Sequence, residues 1–179
     1  MSQTTLDIKE PGLNVLPPGV ERHVVNAGGL TGLQIFPDDE IEIINDEGNQ
    51  ICEIICFNKD GKSELGIINQ KENSNKSFIK EILKRKDESS LVTNLQLKKR
   101  NLDINKSKSS VLFDNKTPSG EKIKIKSKDK CYVIFSAPQN DMLVSEQNPS
   151  SDLTIFIKRA KIINDKELSV IPDPVFEPN

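Results

Sequence analysis

The chain has no tryptophan, one tyrosine, one histidine and seven phenylalanines among its 179 residues. A surface that stacks nucleic-acid bases needs rings in series, and the formal net charge of −2 provides no field drawing the chain toward phosphate or an acidic membrane. Nucleic acid and membrane are therefore poor partners. No apolar run approaches the roughly 18 residues of a spanning helix. The start, MSQTTLDIKEPG, lacks the basic n-region and apolar h-region of a secretory signal. Three cysteines, an odd number, give no disulfide framework, and a reducing cytoplasm is the simplest compartment. No internal repeat or long low-complexity tract appears. The segment Ala27-Gly28-Gly29-Leu30-Thr31-Gly32 has no Lys-Ser/Thr pair and opens no helix, which removes a P-loop reading.

What is present reads as mainly β (α+β). A chain of this length buries roughly 70% of the surface it exposes when unfolded, enough for one core without staples. Residues 1–19 form an N-terminal leader, 20–163 the domain, and 164–179 a Pro-punctuated linker or tail, at which the natural protein is expected to continue. β-branched runs place strands at Val20–Asn26, Leu33–Phe36, Ile41–Ile44, Gln50–Phe57, Val111–Phe113, Lys122–Lys126, Cys131–Phe135 and Leu153–Ile157. Asn45-Asp46-Glu47-Gly48-Asn49 has turn chemistry, with Gly48 supplying positive φ, so residues 41–57 read as a hairpin. Helical periodicity is confined to a two-helix insert near residues 76–104. Phe78, Ile79, Ile82 and Leu83 share one face of a first helix that Ser77 or Asn75 caps, and Leu91, Leu95 and Leu102 suggest a second. The expected architecture is a compact β-sandwich or barrel-like domain.

Cys52 and Cys56 raise the question of a metal or redox site. On a strand they point the same way, about 13 Å apart at 3.3 Å per residue. A disulfide or a shared zinc ion needs them much closer. They read as small apolar residues lining a buried face with Ile54; a thiol site would require a broken strand, or Cys131 arriving on a neighbouring one. His23 has the chemistry of a base or ligand, but a single histidine near the chain entry reads first as surface or structural. Asp38, Asp39, Glu40 and Glu42 alternate with Ile41 and Ile43 and read as a solvated face rather than a cation site. Lys122, Lys124, Lys126, Lys128 and Lys130 fall on one face if their strand continues. Such a ridge protects a sheet edge or binds an anion. No convergent metal-ligand set is visible.

The order of motifs adds a resemblance. Ile41-x-Ile-x-Asn-Asp-Glu-Gly48-x-Gln50 leads into a strand ending at Phe57 and then Asp60-Gly61. Ala137-Pro138-x-x-Asp141-Met142 follows later, then Glu146-Gln147-Asn148-Pro149 and Asp152-Leu153. Over roughly residues 20–160 this resembles the urea-carboxylase-associated domain family, in the form found at the N-terminus of aminomethyltransferase (glycine-cleavage T-protein-like) proteins. The resemblance implies a compact β fold and an accessory, non-catalytic role in folate-dependent one-carbon transfer. Tetrahydrofolate then belongs to the parent protein, with no cofactor in this chain. The implied partner is a fused or associated T-protein-like domain or a homologous subunit. The alternatives are an amidine or amide hydrolase of the carboxyguanidine-deiminase kind, acting with a partner subunit, and a protein interaction module. The resemblance points to Gln50, Glu53 and Asp141 as the place where a catalytic site would lie, and gives Lys122, Lys124 and Lys126 as a candidate ridge for an anionic tail such as polyglutamyl folate. No metal site is expected.

Overall fold

Alternation of β-branched and polar residues dictates the strand faces, and tertiary pairing decides which faces meet. The computed structural model describes residues 16–74, 77–139 and 149–161. In chain order these carry β1 (Val20–Val25), β2 (Leu30–Ile35), β3 (Glu40–Asn45) and β4 (Cys52–Asn58). After them come helices α1 (Phe78–Leu83) and α2 (Glu88–Lys99), then β5 (Ser109–Leu112), β6 (Glu121–Lys126), β7 (Cys131–Ser136) and β8 (Leu153–Lys158). The strands form two four-stranded sheets, ordered β1-β8-β3-β6 and β2-β7-β4-β5. Every pairing is antiparallel. The mainly β fold expected from the sequence is the fold observed, and it is a sandwich of two distinct sheets.

The main core lies between the sheets. Ile41 and Ile43 of β3 and Leu153, Ile155 and Ile157 of β8 meet Cys52, Ile54 and Cys56 of β4 and Val133 and Phe135 of β7. A second core lies outside the β2-β7-β4-β5 sheet, where Ile55, Phe57 and Ile134 pack against Ile79, Ile82 and Leu97 of the two helices. β4 is thus buried on both faces, which explains its unbroken apolar character. No helix among the described residues is long and apolar enough to cross a membrane.

Three local expectations change. Residues 41–57 are not a hairpin: β3 and β4 lie in different sheets, and the turn between them crosses the sandwich. Gly48 does adopt positive φ, 79°, but the turn closes on the segment before β6, with Asn49 N donating to Thr117 O at 2.8 Å and Gly120 N to Asn45 O at 2.7 Å. The leucines of α2 are not its buried face. Leu91 and Leu95 are exposed, while Ser90, Thr93 and Leu97 are buried. The lysine ladder stops at Lys126, where β6 ends, so Lys128 and Lys130 do not extend it.

Candidate functional site

β1 is an edge strand whose inward row is unusual. Its register sets Glu21 opposite Ile157, His23 opposite Ile155 and Val25 opposite Leu153, so a carboxylate and an imidazole share the row that faces the core. Inward-pointing charge on an edge strand discourages pairing with other chains, but it must be neutralised. Arg159, one residue past β8, does this. Its Nε donates to Glu21 Oε2, and its Nη1 donates to Asp39 Oδ2 at 2.7 Å and to Gln34 O at 2.9 Å. Its guanidinium also lies 5.6 Å from the centre of the Phe36 ring. Asp39, almost fully buried, accepts further hydrogen bonds from Phe36 N at 2.9 Å and Ala160 N at 3.0 Å. This contradicts the solvated face expected of the acidic cluster at that one residue. Glu40 is exposed, Glu42 faces lysines, and Asp38 stands exposed near Lys126.

Glu21 Oε1 lies 3.2 Å from His23 Nε2. The hydrogen bond from His23, reinforced by Arg159, outweighs burial and holds the Glu21 carboxyl at a pKa of about 2. Burial pulls the Arg159 guanidinium down, but its bonds to Glu21 and Asp39 leave it above its ordinary value. The result is a clamp joining β1, the turn before β3 and the end of β8. Its His23–Glu21 pair is partly open to solvent, with the carboxylate occupying Nε2 and so orienting the ring. A carboxylate-oriented imidazole has the chemistry for proton transfer. The sequence shows Glu21-x-His23 directly, but their core-facing phase and Arg159 as partner come only from the sheet.

Gln50 and Glu53 are buried and both hold backbone. Gln50 Nε2 donates to Pro138 O at 2.9 Å, and its Oε1 accepts from Ser151 N at 2.9 Å, joining the start of β4 to the segments around β7 and β8. Glu53 points to the helix side of its sheet. Its carboxylate accepts from Phe78 N at 2.5 Å, Ile79 N at 3.3 Å and Ser77 Oγ at 3.2 Å. Burial pushes this carboxyl above its usual range, against those hydrogen bonds. Asp141 lies outside the described residues.

Lys122, Lys124 and Lys126 project outward from β6 as the alternation requires. Lys122 and Lys124 flank Glu42 at 3.9 and 3.7 Å, and Lys126 lies 4.0 Å from Asp38. Pairs at these distances on an exposed face contribute little. Beside them a cleft of about 470 Å³ opens between the end of β6 and Asn69-Gln70, with Lys124, Lys126 and Lys128 on its wall.

The three thiols are free and buried. Cys131 does arrive beside Cys56 on the neighbouring strand, diagonal to it in the register. The hydrogen bond to Cys131, with burial behind it, pushes the Cys56 thiol up, and burial pushes Cys52 up to about 12. Cys52 and Cys56 are therefore poor nucleophiles, while the hydrogen bond with Cys56 pulls the Cys131 thiol down. No group of three or more His, Cys, Asp or Glu side chains suited to a metal ion occurs among the described residues.

No protein-family model matches the chain, so the urea-carboxylase-associated resemblance remains an expectation. The chain is similar to the trimethylamine-oxide aldolase of Ruegeria pomeroyi, with 32% identity over 171 residues. The match takes in 96% of this chain but 22% of that protein, so the chain spans about a fifth of its relative's length. The relative is an aldolase, a lyase. This overturns two of the functions expected above: the accessory domain of an aminomethyltransferase in glycine-cleavage-type one-carbon metabolism, and the amidine hydrolase.

Proposed function

We propose that the protein carrying this chain is a lyase that splits trimethylamine oxide, or a close tertiary amine oxide, into an aldehyde and a secondary amine. The observation that carries the reading is the 32% identity over 171 residues to an aldolase of that substrate. The chemistry closes on itself. All the carbons of trimethylamine oxide are methyl groups, so the aldehyde is formaldehyde and the amine dimethylamine. Breaking the N–O bond and one methyl C–H bond, with a new C–O bond and the proton on oxygen, gives a carbinolamine. As its C–N bond breaks, the hydroxyl proton passes to nitrogen. The methyl carbon is oxidised as the nitrogen is reduced, so no outside oxidant or reductant enters.

The reaction needs a proton taken from carbon and one delivered to nitrogen. Within this chain the part-exposed His23–Glu21 pair is the candidate for that work, held in place by Arg159. A cytoplasmic location suits its free thiols. The test is to incubate the full-length protein with trimethylamine oxide and measure both products. Equal amounts of formaldehyde and dimethylamine are expected, and no product from active-quality, folded protein overturns the reading. In the same assay His23→Gln is expected to lower kcat by roughly 100-fold. Unchanged turnover would leave the seam a clamp alone.

A further inference from the structure

Both helices pack on the β2-β7-β4-β5 sheet. The outer face of the other sheet carries no helix or strand among the described residues. Its composition is not that of a face made for water. The register brings Val24, Thr154 and Ile44 into one row, and sets Phe156 in the next row, between Arg22 and Glu42. Val24, Ile44 and Phe156 are only half-buried there, so an apolar centre runs across three adjacent strands. A one-sided antiparallel sheet normally turns polar residues outward.

Charge is arranged around this centre. Lys122, Lys124 and Lys126 form a column along β6, and Arg22 and Lys158 stand on the opposite side. Glu40 and Glu42 stand on the same face, Asp38 lies 4.0 Å from Lys126 and Asp46 Oδ2 accepts from Thr154 Oγ1 at 2.6 Å. Five cations against these four carboxylates leave a slight basic excess on a chain whose net charge is −2. Protection of a sheet edge accounts for lysines on β6. It accounts neither for Phe156 and Ile44 at the middle of the sheet nor for the cations on β1 and β8. Two copies of this chain placed face to face would oppose like charges. An apolar centre with a charged rim is the anatomy of a protein interface.

We infer that this face is the docking surface for another part of the same, longer polypeptide, one that presents carboxylates around an apolar centre. The inference rests on the reading that the chain is one portion of a lyase of the relative's kind, in which about four-fifths of the length lies outside the match. A second domain joined by a linker docks at high effective concentration, so modest contacts suffice.

The test uses the full-length protein and reads contact, not turnover. Zero-length carbodiimide cross-linking with mass spectrometry is expected to join Lys122, Lys124 or Lys126 to Asp or Glu residues beyond this chain's 179. Acetylation of those lysines is expected to be at least tenfold slower than that of exposed Lys99. Equal acetylation rates overturn the inference. So do links confined to Glu42 and Asp38, links to Asp165, Glu167, Asp173 or Glu177, and links only to a second polypeptide. Formaldehyde release measured on the same preparation separates failure of the lyase reading from failure of the docking surface.

Discussion

Glu21 and Glu53 are carboxylates in one small sandwich with opposite responses to their surroundings. Glu21 is stabilised in its charged form by His23 and Arg159 and titrates near 2 when folded, against an ordinary 4.5. Its contribution to stability is therefore present above about pH 4.5 and lost as pH falls toward 2. Glu53 is raised by burial, so its contribution is present at low pH and lost as pH rises through its elevated pKa. Urea unfolding of Glu21→Gln and Glu53→Gln across pH is expected to give slopes of opposite sign relative to the parent chain. Glu21→Gln should lose its disadvantage as the solution is acidified. Glu53→Gln should gain on the parent as pH rises. Parallel curves for both variants would show that neither environment discriminates the charged form. At this scale the sequence was a partial guide. Cys52, Ile54 and Cys56 line a buried face as the alternation requires, and all three are fully buried. Asp39 was not legible, because its partners Arg159 and Ala160 lie 120 and 121 residues away along the chain.

At the scale of elements, local chemistry located the strands and left their partners open. β-branched runs mark each strand to within a few residues, and Ser77 caps α1 through Lys80 N at 3.3 Å, as its type suggests. The link between β3 and β4 reads as a hairpin turn because its residues suit any turn. What sends β4 to the other sheet is long-range: β3 finds β6 and β8, and β4 finds β5 and β7. The buried face of α2 departs from its leucine pattern for a related reason. Ser90 Oγ donates to Ile82 O at 2.7 Å and Asn94 Nδ2 to Leu83 O at 2.9 Å. These polar bonds to the end of α1 fix the rotation of the helix and leave Leu91 and Leu95 outside. The crossing turn itself is testable. At Gly48, φ is 79° and a Cβ would sit 2.7 Å from both Ser119 N and Thr117 O, which are backbone atoms. Gly48→Ala is expected to cost more than about 1 kcal/mol, read as a lower urea midpoint with unchanged slope. An unchanged midpoint would mean that this turn relaxes at little cost.

For the molecule as a whole, the sandwich closes around its thiols. Cys52 and Cys56 on β4 and Cys131 on β7 all point between the sheets, and none is more than 1% exposed. β4 and β7 are the inner strands of their sheet, flanked by β5 and β2. Fraying of an edge strand therefore leaves these thiols covered, and a reagent reaches them only when the two sheets separate. Their pairing is also non-local, with β2 joined to β7 and β1 to β8, so the sheets are expected to part as one cooperative unit. Labelling with a thiol-reactive disulfide under native conditions should then proceed at a single rate for all three cysteines, equal to the global unfolding rate measured by circular dichroism. In denaturant all three should react at once. One thiol labelled ahead of the others would locate a local opening, and mapping it by mass spectrometry would show which strand moves. The distinction bears on the proposed docking face. If β8 and β1 opened independently, the outer surface of their sheet would be too mobile to hold a partner domain, whereas cooperative opening gives it a rigid platform.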